Sequence, residues 1–255
     1  MIVGILGGLI GLGGAEFRLP MLIGLFGFAP LAAVILNKAM SLVVVASALP
    51  LRLSAVPLAD VAAQWPVVVN LLAGTIAGAW FGATWAIGIR TASFYRVIAV
   101  LLIAMAAALL FGHGLNSTGW PLLEGVPLMV AGVLAGLGIG TVASLLGVAG
   151  GELLIPTLVL LYGLDVKLAG SLSLAISLPT MIVGFARYSR DDSFKVVKQQ
   201  AAFVACMAAG SIAGTYLGAQ LLRIVDGGLL LPLLAAILVV SAYKMSRHAT
   251  KAGEA

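Results

Sequence analysis

Two glutamates stand where a carboxylate is costly. Glu16 lies in "GLGGAEFRLP", beginning at Gly11, and Glu152 in "GVAGGELLIP", beginning at Gly147. Apolar sequence surrounds both, and a proline follows each four residues later, Pro20 and Pro156. An ionisable group inside a membrane segment is a functional candidate by default, because ionisation there is expensive. A carboxylate in the first turn of a helix also complements the helix dipole, by about 0.3–1 kcal/mol. Burial and a nearby anion favour its protonated form, and the dipole favours its ionised form. A group balanced in this way can carry a proton.

The cations are unevenly placed. Arg18 and Lys38 have Leu154 and Leu174 at the equivalent places of the second motif. Arg18 is two residues after Glu16, about 200° around a helix, so the two cannot share a face. It reads as an interhelical or a snorkelling charge. Lys38, in "VILNKAMSL", has two readings. It snorkels to a nearby membrane face, or it attracts an anion, with Asn37 and Ser41 as hydrogen-bond donors. Ser171, Ser173 and Ser177 in "GSLSLAISL" read as substrate contacts or as helix–helix hydrogen bonds.

The glycine-rich turns supply a further kind of donor. Gly13, Gly14 and Ala15, and Gly150 and Gly151, precede or open short helices whose first N–H groups have no partner within the helix. Two such ends facing one cavity make a site for a small anion. An ionised Glu16 or Glu152 would repel that anion. It must be protonated, paired or turned away while the anion is bound, which would couple proton movement to anion movement.

The elements that hold these groups are membrane helices. Hydrophobic residues make up 62% of the 255 and charged residues 9%, which excludes a soluble domain of this size. A single register relates two halves: Glu152 − Glu16, Pro156 − Pro20, Gly163 − Gly27, Ser177 − Ser41 and Gln200 − Gln64 all equal 136. We therefore expect an all-α integral membrane protein made of two repeats. The first covers 1–115, an extracytoplasmic connector covers 116–124, and the second covers 125–250. Apolar segments are expected at about 1–12, 15–27, 32–51, 62–86 and 94–112. The second half repeats them at about 126–147, 151–163, 168–187, 199–222 and 228–245. "GTIAGAWFG" and "GSIAGTYLG" put glycine at every fourth position, a pattern for close helix packing, and Gln64 and Gln200 open those helices.

Charge sets the orientation. Arg90, Arg96, Arg187, Arg190, Lys195, Lys198, Lys244, Arg247 and Lys251 fall inside when Arg52, Lys167 and Arg223 fall outside. Each half then crosses a net odd number of times. The repeats are expected to be inverted about an axis in the membrane plane, with both termini cytoplasmic in the cell (inner) membrane. The second segment of each half, about 13 residues or 20 Å, is too short to cross. Each glycine-rich turn is thus expected at the tip of a re-entrant hairpin, with the two tips meeting near the midplane.

Other functions find little support. The net charge of +5 sits in short loops and the tail, where topology accounts for it, so nucleic acid is not implied. His113 and His248 lie in a loop and the tail, no metal-ligand cluster is visible, and no serine has a histidine or aspartate partner. Neither an enzyme nor a cofactor is expected. Cys206 cannot form an internal disulfide, and no cleaved signal peptide is read before the first apolar run.

The duplicated "GLGGAEFRLPML" and "GVAGGELLIPTL" resemble the glycine-rich signature of the TauE/SafE sulfite-exporter family, roughly G-x-G-G-G, four residues, then Pro. "NKAMSL" and "GSLSLAISL" resemble its second stretch, commonly Thr-Ser-Leu. The resemblance covers both halves. Ala15 and Ala149 depart from the usual Gly, and Lys38-Ala39-Met40 from smaller residues. The resemblance implies export of sulfite, sulfoacetate or a related organosulfur anion, driven by the proton gradient. The partners are then that anion, protons and the lipid bilayer. An anion channel on the same architecture, a cation transporter built on Glu16 and Glu152, and a scaffold docking through "RYSRDDSFKVVK" are the alternatives.

Overall fold

A computed structural model describes residues 15–53, 58–112 and 124–221, with isolated positions at 236, 239–240, 242–243 and 246–247. Among these, all regular structure is helical. The first half holds α1 (Ala15–Gly24), α2 (Pro30–Leu53), α3 (Leu58–Ala63), α4 (Trp65–Gly88) and α5 (Thr91–Gly112). The second holds α6 (Gly125–Leu146), α7 (Gly151–Tyr162), α8 (Val166–Tyr188), a 3-10 turn (Asp192–Phe194), α9 (Lys195–Gln199) and α10 (Ala201–Leu221). The expected segments at 1–12 and, but for those isolated positions, at 228–245 lie outside the described residues.

Helix starts repeat at the sequence register: 151 − 15 = 136, 166 − 30 = 136 and 201 − 65 = 136. Among the described residues, Pro30–Ala48, Trp65–Gly88, Gly125–Leu146 and Leu168–Tyr188 are each long and apolar enough to cross a membrane. Asp192–Gln199 with Ala201–Gly214 makes a fifth if that bent pair counts as one span. Leu25, Val100, Val126 and Leu134 are among the apolar residues on the outer surface. That placement is stable against lipid tails.

Gln64 and Gln200, read as opening the fourth long helix of each half, stand directly before it, and a short helix precedes each. In the first half the break is at Gln64, between α3 and α4. Pro66, in the first turn of α4, has no N–H to continue the preceding turn. In the second half the break is at Gln200, with a bend of 69°. There Phe194 packs edge-on against Phe185, ring centroids 4.9 Å apart, which holds the short helical piece against α8.

Contacts fix the helix directions. Thr180 Oγ1 donates to Thr75 Oγ1 and Arg187 Nε to Thr84 Oγ1, so α4 and α8 run the same way. Gly74 faces Val133 and Gly136, and Gly82 faces Thr141 and Ser144, so α6 runs with them. Helix α2 is opposed, because Val34 lies beside Gly147 and Lys38 beside Ala143 and Ser144. Helix α7 doubles back along α6. Gly150 is next to Ala143 and Ile139, and the Tyr162 hydroxyl has returned to the level of Gly132 and Asn70.

The seam between α4 and α6 is the closest helix contact. A Cβ at Gly74 would sit 2.1 Å from the Val133 carbonyl oxygen, at Gly78 2.1 Å from that of Leu137, and at Gly140 2.2 Å from that of Thr75. The every-fourth glycines of "GTIAGAWFG" are therefore packing residues. Thr141 Oγ1 and Ser144 Oγ donate across the seam to the carbonyls of Gly78 and Ala79. One apolar core gathers Leu19, Leu22, Ile35, Leu36 and Ile98, and a second gathers Leu71, Leu154, Leu158, Leu172 and Ile176. The candidate site lies on the first core's side of α2.

Candidate functional site

The site is built where helices end. Gly147 (φ 67°) and Gly150 (φ 81°) adopt left-handed backbone, which carries the chain from α6 into α7. At Gly147 a side chain is excluded twice over, since a Cβ would lie 2.3 Å from the Val34 carbonyl oxygen. The last carbonyls of α6 have no partner within that helix, and they carry the negative end of its dipole.

Three side chains meet those carbonyls. Asn37 Nδ2 donates to the Leu146 carbonyl at 3.0 Å. Lys38 Nζ lies 3.4 Å from the Ala143 carbonyl oxygen and 3.3 Å from Ser144 Oγ. The Tyr188 hydroxyl donates to the Ser144 carbonyl at 2.9 Å. All three are fully buried. A snorkelling head group must reach a surface, and Lys38 does not. Its two contacts are long for hydrogen bonds. Among the described residues, the ion pair is Lys195–Asp192 on the surface, and none involves Lys38. Gly184 makes room for the lysine: a Cβ there would come within 2.8 Å of Lys38 Cε and 3.0 Å of its Nζ.

Asn37 also reaches the other motif. Its Nδ2 donates to the Ala15 carbonyl at 2.9 Å, in the first turn of α1. One amide thus joins the start of α1 to the end of α6. Its Oδ1 is buried and finds no partner among the described residues.

Arg18 forms a separate junction. Nη2 donates to Ser41 Oγ at 2.6 Å and Nη1 to Ser211 Oγ at 3.1 Å, which links α1, α2 and α10. Of the sequence's two readings for Arg18, the interhelical one matches. In the second half Leu154 replaces the arginine, and Ser177 Oγ, at the place equivalent to Ser41, is buried without a partner among the described residues. Ser173 Oγ donates to the Gly170 carbonyl of its own helix at 2.9 Å. Ser171 is buried on the same helix. Ser173 and Ser177 make no hydrogen bond to Asn37 or Lys38.

The structure thus brings Ala15, Asn37 and Lys38 to the turn at Gly147–Gly151, and it groups Arg18 with Ser41. Gly13 and Gly14 lie outside the described residues, as do the side chains of Glu16 and Glu152. The backbone of each glutamate falls in the first turn of its helix, α1 or α7. Pro20 and Pro156 lie inside those helices, so neither glutamate's carbonyl meets an N–H four residues on.

Sequence reasoning passed over Ser144, Tyr188 and Ser211. For Ser211 a signal existed, since 211 − 136 = 75 and both places carry a hydroxyl, Ser211 and Thr75. For Ser144 and Tyr188 there was none.

Apolar helices interrupted at glycine, with their ends tied together inside the bundle, define an integral membrane protein of the permease class. The particular group follows from the comparison with family models. The chain belongs to the sulfite exporter TauE/SafE family, whose model matches residues 1–245. Comparison with curated proteins and with solved structures returns no match.

Proposed function

We propose that the protein exports a small sulfur-containing anion, sulfite or an organosulfonate, across the cell (inner) membrane, coupled to protons. The observation that carries the site is Asn37, which binds the start of α1 and the end of α6 with one amide. The anion binds there. Lys38 supplies the charge, and the first N–H groups of α1 and α7, with Gly13, Gly14, Gly150 and Gly151, supply donors. Ser41, Ser171, Ser173 and Ser177 line its path, and Arg18 holds the helices around it. Glu16 and Glu152 carry the proton.

The halves, 1–115 and 125–250, act as inverted repeats joined by an outside connector at 116–124, with both termini cytoplasmic. The 136-residue register of helix starts supports this, and so do the helix directions. Equivalent helices α2 and α8 run oppositely, whereas an axis along the membrane normal would make them parallel. The turns lie within the bilayer, about 10–12 Å from the start of α2, counted along the helix to Asn37 and Lys38.

A cation site is disfavoured, because the α6 carbonyls that would bind one are taken by Lys38, Asn37 and Tyr188. A channel differs from a carrier in one measurable respect, uphill movement. Flux into proteoliposomes with sulfite, sulfoacetate, thiosulfate and sulfate, with and without a pH gradient, tests the reading. We expect uphill accumulation of a sulfur oxyanion driven by the gradient. Purely downhill flux would leave the channel.

Lys38→Ala should weaken sulfite binding by at least about tenfold in isothermal titration, with Lys38→Arg retaining part of it; unchanged binding would remove Lys38 from the site. A factor of ten corresponds to about 1.4 kcal/mol. Glu16→Gln or Glu152→Gln should abolish dependence on the pH gradient, with Glu16 the more important. Parental proton-coupled flux in the double variant would leave both as helix-start carboxylates.

A further inference from the structure

Two arginines outside the transport site lie against a single tryptophan on the outer surface. The guanidinium carbon of Arg190 is 5.1 Å from the Trp80 ring centroid, and that of Arg187 is 5.7 Å from it. Arg187 Nε also donates to Thr84 Oγ1 at 2.8 Å. Trp80, Phe81 and Trp85 are 40%, 60% and 43% exposed, so this face of α4 is presented to lipid.

The depth of the pair matters. Helix α4 ends at Gly88, so Thr84 and Trp80 lie about 6 and 12 Å short of its end. The arginines, from the end of α8 and the turn after it, are therefore level with a part of α4 that still belongs to its candidate span. Cations recessed beside lipid-facing aromatic rings need a counter-anion at the same level. Nearby acids do not supply it fully. Asp191 accepts from the Ser193 N–H, and Asp192 pairs with Lys195 at 2.8 Å. Guanidinium groups bind phosphate oxygens through paired N–H donors, and tryptophan favours the headgroup level of a bilayer.

We propose that Arg187 and Arg190, with Thr84 and the Trp80 ring, bind the headgroup phosphate of an anionic phospholipid. The ring keeps both guanidinium groups fanned toward the lipid, and the net negative charge of the headgroup selects it over a zwitterionic one. The site is independent of the transport reading.

Native mass spectrometry of the full chain tests it. The protein is released from vesicles of phosphatidylglycerol and phosphatidylcholine in equal amounts, and the retained lipids are counted. The parent should retain phosphatidylglycerol preferentially. Arg187→Gln with Arg190→Gln should reduce that preference about tenfold, the order expected for two basic groups facing an anionic headgroup. Anion flux in phosphatidylcholine vesicles should be unchanged. If the double variant fails to fold, Arg190→Gln replaces it, because Arg190 is exposed, and a partial loss is then expected. No preference in the parent, or an undiminished preference in the variant, overturns the proposal. Displacement of the retained lipid by inorganic phosphate at equal concentration would also overturn it, since the site would then serve free anions.

Discussion

Equivalent places in the two halves carry different chemistry. Arg18, Asn37 and Lys38 of the first half correspond to Leu154, Ser173 and Leu174 of the second. The first half's polar groups reach outward to other helices: Asn37 and Lys38 to the end of α6, Arg18 to α10. At the places equivalent to Asn37 and Ser41, Ser173 bonds within α8 and Ser177 has no partner among the described residues. The helix starts recur at a spacing of 136, while Arg18 and Lys38 have leucine at the equivalent places. A site between such halves is asymmetric although its scaffold repeats.

The comparison breaks most visibly at the asparagine. Asn37→Leu removes the donor from the Leu146 carbonyl and the tie to Ala15, at a cost of about 2–4 kcal/mol. Ser173→Ala should cost less than about 1 kcal/mol, because the Gly170 carbonyl remains within a helix. Thermal unfolding of both variants in detergent measures the gap. Equal destabilisation would mean that the halves share the load.

The paired serines sharpen it. Ser41→Ala loses a hydrogen bond from a charged guanidinium, worth about 1.5–3 kcal/mol. Ser177→Ala removes a buried hydroxyl without a partner and should be neutral or stabilising by up to about 1 kcal/mol. A destabilised Ser177→Ala protein would mean that the second hydroxyl has found a partner such as ordered water.

Gly184 comes next. At the equivalent place, 184 − 136 = 48, the first half has Ala48. Gly184→Ala should cost about 1–2 kcal/mol through overpacking. It should also lower sulfite affinity, because the atoms that must move are Lys38 Cε and Nζ and Ser144 Oγ. Titration beside thermal unfolding separates the two effects. Unaltered affinity would show that the ammonium position is not critical.

The smallest effect is at Asp191, whose equivalent is Ala55. The Ser193 side chain and N–H hold its carboxyl below the usual carboxylate range, with a smaller contribution from Arg187. A lowered pKa contributes stability above the unfolded value, about 4, and the contribution is lost as the pH falls through the folded one. Asp191→Ala should therefore lower stability slightly at neutral pH and converge with the parent in acid, where the parent itself has lost the contribution. A profile identical to the parent's would dismiss the cap.

Much of the frame was legible because glycine, proline and glutamate recur in register, and because apolar length reports directly on span. Helix starts at Ala15 and Gly151 followed from those marks. Gln64 and Gln200 stood out as helix openings, but continuous hydropathy does not register the 69° bend at Gln200. The site was legible in part. Asn37, Lys38 and Arg18 stood out as polar groups in apolar runs. Three of their partners did not, since they are the carbonyls of Ala15, Ala143 and Leu146, and a carbonyl carries no mark in sequence. Tyr188 resembled a loop residue beside Arg187 and Arg190, and only the return of α8 to α6 gives its hydroxyl a role.

The glycine seam has a mechanical consequence. Helix α4 belongs to the first half and α6 to the second, yet their backbones touch too closely to slide without collision. The seam ties the two helices together along several turns. A tilt of residues 1–115 against residues 125–250 would have to open this seam. The contact of α2 with the end of α6 is nearly as tight, since a Cβ at Gly147 would lie 2.3 Å from the Val34 carbonyl oxygen.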